Sequence, residues 1–76
     1  MIEAKCIKNK DPWSSKLYKE LEEGQMYEID HIDMGQSSTG IYLKGIKHSF
    51  NSVCFKFYEN KRPINIYKDK RFNPYL

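Results

Sequence analysis

Residues 2–6 alternate apolar and polar side chains, Ile2, Ala4 and Cys6 against Glu3 and Lys5, which is the pattern of a strand buried on one face. Asn9-Lys10-Asp11-Pro12 ends it, because proline has no N–H for a ladder and forces the residue before it into extended geometry. The following stretch predicts a long excursion: Ser14 or Ser15 can cap one helical turn with Leu17, Tyr18 and Leu21 on one side, and Gly24 closes it. Alternation returns over 25–32, with Tyr27 and Ile29 on one face and Glu28 and Asp30 on the other. Gly35 and Gly40 bracket small polar residues and predict a turn. Ile41 and Leu43 then point inward from a third strand, Gly45 marks a bend, and Phe50-Asn51-Ser52 predicts a tight turn. A strand over 53–58 sets Val53, Phe55 and Phe57 on the core side, while Ile64 and Ile66 alternate with Asn65 and Tyr67 in a sixth. The last six residues, interrupted by Pro74, predict a tail.

Five to six short strands with at most one helical turn predict an all-β fold, and closure into a small barrel would remove the exposed edges of so small a sheet. The expected division is a barrel over 1–58 and a basic C-terminal extension over 59–76. Seventy-six residues are enough for one domain. Eleven aromatic residues are too many for a disordered chain. No apolar run approaches the roughly 20 residues of a membrane helix, and the first ten residues lack the apolar stretch of a secretion signal. The expectation is a soluble, cytoplasmic protein that does not engage the membrane.

Leu21-x-x-Gly24-x-x-Tyr27-x-Ile29, followed by the Gly-containing turn and Phe50-Asn51-Ser52 with Phe57 beyond, resembles the small SH3-like β-barrel proteins of bacterial phages and mobile elements. The Cys-containing first strand, Ala4-Lys5-Cys6-Ile7, is similar too, and the resemblance spans roughly residues 2–58. The loop from Asn9 to Leu21 is longer than in that group, and residues 59–76 extend past it. The resemblance implies an SH3-like barrel and a phage context, without an activity. Some very small phage proteins disable host enzymes by binding them, which the resemblance carries only as context.

Charge is divided unevenly. Residues 1–59 hold eight Lys/Arg against nine Asp/Glu, a net of −1, whereas 60–76 hold five against one, a net of +4. Lys61, Arg62, Lys68, Lys70 and Arg71, interleaved with Tyr67, Phe72 and Tyr75, fit a track for single-stranded nucleic acid, with cations on phosphates and rings on bases. The plainer reading of the same charge, and the one the sequence favours, is a solubilising terminus. Cys6 and Cys54 are too few for a disulfide scaffold, and strand parity puts them on opposite faces, so free thiols in a reducing compartment are expected.

Catalytic chemistry has no anchor in this sequence. The two thiols fall within strand patterns, and the carboxylates of Glu20, Glu22, Glu23 and Glu28 surround one turn as a solvated patch. His31, between Asp30 and Asp33, lacks the three or four converging ligands of a metal site, and no glycine pattern cradles a phosphate. Neither enzyme activity nor cofactor nor metal is expected. Trp13 stands out because it follows Asp11-Pro12 in a loop outside the alternation. In SH3-like barrels that region borders a groove where aromatics recognise extended peptides; the alternative is that Trp13 folds back as a lid over an open barrel end. Tyr42 and Tyr58 fall on outward parity, and Tyr18 lies in the same excursion as Trp13. The leading expectation is a non-enzymatic module that binds a host or phage protein, as an inhibitor of a host partner, through Trp13, Tyr18, Tyr42 and Tyr58. The alternatives are nucleic-acid binding by the basic tail and a homodimer through residues 64–67.

Overall fold

The computed structural model describes residues 2–36 and 38–76. Six strands form one antiparallel sheet: β1 (Ile2–Cys6), β2 (Met26–Met34), β3 (Thr39–Leu43), β4 (Ser49–Asn51), β5 (Phe55–Glu59) and β6 (Arg62–Ile64). Their order across the sheet is β4-β3-β2-β1-β5-β6. The all-β expectation with six short strands therefore holds. Barrel closure by hydrogen bonds is corrected: β4 and β6 stand at opposite ends of the sheet, with no ladder joining them. The edges are blunted another way, since each end strand is only three residues long and β6 carries Arg62 and Pro63.

β2 makes this arrangement compact. Its first residues pair with β1 (Glu3 opposite Glu28, Ala4 opposite Tyr27), and its later ones pair with β3 (His31 opposite Tyr42, Met34 opposite Thr39). A register shift between Ile29 and His31 lies where the partner changes, and a bulge of this kind bends a strand and increases its twist. The sheet thus wraps one core of Ala4, Cys6, Ile41, Leu43, Phe50, Phe55 and Phe57 together with Tyr18, Leu21, Met34, Cys54 and Ile66. Phe50 lies at its centre, edge-on to Tyr18 at 4.9 Å and to Phe55 at 6.2 Å between ring centroids. Such edge-to-face pairs set the positive rim of one ring against the negative face of the next.

Three local expectations are corrected. The excursion after β1 contains no helix with Leu17, Tyr18 and Leu21 on one side. It folds back on itself, with a bridge between Lys10 and Leu17 and with Asp11 N–H donating to the Lys16 carbonyl at 2.8 Å. The two helical segments among the described residues are 3₁₀ turns elsewhere, at Ser52–Cys54 and Ile66–Lys68. Each opens on an asparagine, Asn51 or Asn65, whose side-chain oxygen accepts an N–H two residues on. Because 52–54 is a 3₁₀ turn, strand parity does not apply there: Val53 is exposed instead of inward, and Cys54 is buried on the same core as Cys6. Finally, Ile64 ends β6 while Ile66 opens the second 3₁₀ turn fully buried, so the residues after 58 supply both a strand and part of the core.

Both thiols are free. The Cys6 sulfur donates to the Lys8 carbonyl at 3.3 Å and the Cys54 sulfur to the Lys10 carbonyl at 3.7 Å. Burial raises both, and Cys54, with Asp11 and Cys6 adding to the effect, is pushed up to about 11. Thiol reagents act on thiolates, so neither residue is expected to react with a chromogenic disulfide at pH 8 until the protein unfolds. A native-state reaction as fast as that of free cysteine would contradict the burial.

Candidate functional site

An open groove of about 830 Å³ runs between four segments of chain. Trp13 from the excursion after β1 forms one side, and its indole is 81% exposed. Its place follows from the two residues before it. Pro12 cannot extend the strand, and the Asp11 carboxylate accepts the Trp13 N–H at 2.9 Å, turning the chain outward. The opposite side is the β2–β3 turn, with Met34, Gly35, Gln36, Ser38 and Thr39, where Gly35 N–H donates to the Ser38 carbonyl at 2.8 Å.

Asn51, Ser52 and Val53, at the junction of β4 and the first 3₁₀ turn, line the groove as well. The last wall is Tyr67, Asn73 and Tyr75 from the C-terminal segment. Three bonds hold it there: the Tyr67 hydroxyl with Ser52 Oγ, Asn73 Nδ2 donating to the Tyr67 carbonyl at 2.7 Å, and Tyr75 N–H donating to Asn73 Oδ1 at 2.9 Å. The exposed rings of Trp13, Tyr67 and Tyr75 therefore border one concavity, and the described residues lining it carry no charge. Such a surface can stack on and exclude water from apolar or amide groups, and it offers nothing to neutralise a phosphate.

Of the four aromatic residues singled out in the sequence as contacts, only Trp13 reaches this groove. Tyr18 is corrected from contact to core residue: it is 5% exposed, packs on Phe50, and donates its hydroxyl to Asp11 Oδ2 at 3.2 Å. Tyr42 is half-buried and stacks on His31 across the β2–β3 ladder at 4.2 Å, while His31 also pairs with Asp30 at 2.7 Å. Tyr58 is half-buried and lines a second, shallower groove with Pro63 and Ile64. Tyr42 on β3 and Tyr58 on β5 lie on strands that β2 and β1 separate in the sheet order.

The basic segment is divided as well. Lys61 lies in the β5–β6 turn, Arg62 on β6, Lys68 in the second 3₁₀ turn, and Lys70 is exposed beyond it. Arg71 is not a free cation. Its guanidinium takes both Glu59 oxygens at 2.8 Å and Asp69 Oδ2 at 2.6 Å, and lies 5.2 Å from the Phe72 ring centroid. The same guanidinium holds the Glu59 and Asp69 carboxyls below their usual range. Residues 64–67 do not form one continuous strand: Ile64 ends β6, Asn65 caps the second 3₁₀ turn and Ile66 is turned into the core. Among the described residues, no three His, Cys, Asp or Glu side chains gather as a metal site. No helix among them is long and apolar enough to cross a membrane.

The sequence assigns no site role to Asn51, Val53 or Asn73, and places Tyr75 only among the rings of the basic end. Only Asn51 carried a local signal, in Phe50-Asn51-Ser52, and that signal concerns a turn. Tyr75 stands beside Pro74 in what reads as a tail, and nothing local shows that the chain returns to Trp13.

Fold and groove together define a small all-β domain with an uncharged aromatic groove built partly from its C-terminal segment. The family model described as "Bacteriophage T4 protein Y07B" matches residues 9–76, and the chain belongs to that phage protein family. The matched span contains every wall of the groove, from Trp13 to Tyr75. No curated protein and no solved structure matches the chain.

Proposed function

We propose that this phage-family chain is a non-enzymatic protein-binding module. In this reading the groove of Trp13, Tyr67 and Tyr75 holds an extended, uncharged segment of a host or phage protein, and binding inhibits that partner. The observation that carries the reading is the gathering of three exposed rings, from distant parts of the chain, around a groove without charged lining. Rigid aromatic side chains provide large contact area at small entropic cost, which is why they anchor interfaces. The position of Trp13 in the loop after β1 also fits the SH3-like resemblance, and the two buried free thiols suit a reducing cytoplasm. Nucleic-acid binding by the tail draws less support, because Arg71 is already neutralised by two carboxylates and Phe72 is half-buried beneath it.

The test is capture of partners from nuclease-treated bacterial lysate by tagged protein, followed by mass spectrometry. Trp13→Ala is expected to weaken capture of the partner by roughly 30-fold, as loss of a central aromatic anchor does, with the melting temperature unchanged. Capture by Trp13→Ala equal to that by the wild type would remove the groove from the reaction. In parallel, affinity for a single-stranded oligonucleotide that falls steeply as salt rises would favour the basic segment instead.

A further inference from the structure

Trp13 is too exposed to be held by packing, yet two side chains tie its backbone to the opposite part of the fold. Asp11 Oδ1 accepts from Trp13 N–H at 2.9 Å and from Asn51 Nδ2 at 3.3 Å, and Asp11 Oδ2 accepts from the Tyr18 hydroxyl at 3.2 Å. Asn51 uses its other side-chain atom, Oδ1, to accept the Val53 N–H at 3.2 Å. Its own backbone N–H donates to the Tyr18 hydroxyl at 3.3 Å. Tyr18 is buried against Phe50, so this network is rooted in the core. One carboxylate and one amide, 40 positions apart in sequence, thus connect two lining residues of the groove, Trp13 and Val53.

We infer that Asp11 and Asn51 are a positioning pair that sets Trp13 relative to Val53 and so shapes the mouth of the groove before any ligand arrives. The inference rests on the binding reading above and deepens it. A ligand meeting a loose loop must order it at the moment of binding, which lowers affinity, whereas a loop already held avoids that loss. A carboxylate suits this task because its hydrogen bonds are charge-assisted, and two oxygens can hold three donors from two segments. The Trp13 N–H is also the main reason the Asp11 carboxyl stays below the usual carboxylate range. Ser15, at φ 58°, completes the turn by donating its N–H to the Asp11 carbonyl at 2.8 Å.

Trp13 is the only tryptophan in the sequence, so its fluorescence reports this site alone. The experiment measures time-resolved Trp13 anisotropy and Trp13 amide hydrogen exchange in the free full-length protein, with thermal melts showing which variants are folded. Asp11→Ala is expected to add a large fast component to the anisotropy decay and to speed Trp13 amide exchange by roughly tenfold, the effect of losing one hydrogen bond. Asp11→Asn keeps an oxygen at the Oδ1 position and is expected to retain the wild-type decay. Asn51→Asp keeps the acceptor for Val53 but sets a second carboxylate against the first, and is expected to loosen Trp13 as Asp11→Ala does. A folded Asp11→Ala or Asn51→Asp protein with Trp13 as rigid as the wild type would overturn the inference, as would an Asp11→Asn protein as loose as Asp11→Ala. If Asp11→Ala does not fold, the comparison of Asn51→Asp with Asp11→Asn decides. None of these measurements involves a ligand, so they can fail while lysate capture succeeds, or succeed while capture fails.

Discussion

Replacing Phe50 with alanine is expected to destabilise the protein by about 3–5 kcal/mol, the usual cost of emptying a buried aromatic site. Phe50 is 1% exposed and is in ring contact with Tyr18, Phe55 and His48, so its removal leaves a cavity in the core. The effect is amplified by size. A domain of this length has roughly 4–11 kcal/mol of stability in total, so a loss of that order removes much of it. By the scaling for small domains, the melting temperature should fall by about 15 °C or more. Urea unfolding followed by circular dichroism measures this directly. A loss below about 1 kcal/mol would show that Phe50 is not the centre of the packing.

The second large effect concerns the C-terminal residues. Ile66→Ala is expected to cost about 2–5 kcal/mol, as for other fully buried aliphatic side chains, and a fragment of residues 1–58 is expected not to fold. Ile66 is 0% exposed, β6 pairs with β5 through Phe57–Ile64 and Glu59–Arg62, and Phe72 packs against the core from outside. Removing 59–76 would expose the apolar faces of Phe55 and Phe57 and open the edge of β5. The amide dispersion of the 1–58 fragment in a proton–nitrogen NMR spectrum is the measurement. Native-like dispersion would make the C-terminal segment an appendage.

These expectations also mark where sequence reading stops. The alternation of Ile2, Ala4 and Cys6, of Ile41 and Leu43, and of Phe55 and Phe57 located β1, β3 and β5, because an antiparallel strand with one covered face must repeat every two residues. The rule fails wherever the chain leaves the pleat. Strand parity sets Val53 inward and Cys54 outward, and the 3₁₀ turn that Asn51 caps reverses both. Ile66 shows the same failure, with Asn65 as the cap.

The candidate site is less legible still. Trp13 stood out because it lies beyond a proline and outside any repeat, which is a local property. Which of Trp13 and Tyr18 faces water is not local. It depends on Asp11 reaching Asn51, and on Phe50 offering Tyr18 an edge. Composition counted Arg71 as a free positive charge, whereas Glu59 and Asp69 surround it in space.

The amino-acid order alone thus determined the strand class, the main core residues and the exceptional status of Trp13, since each follows from period-two burial or from proline geometry within a few residues. Tertiary structure decided that the sheet stays open, that Tyr67 and Tyr75 join Trp13, and that the C-terminal segment is part of the core. Those facts depend on contacts between residues far apart in the chain, whose free energy exists only once the rest of the protein has brought them together.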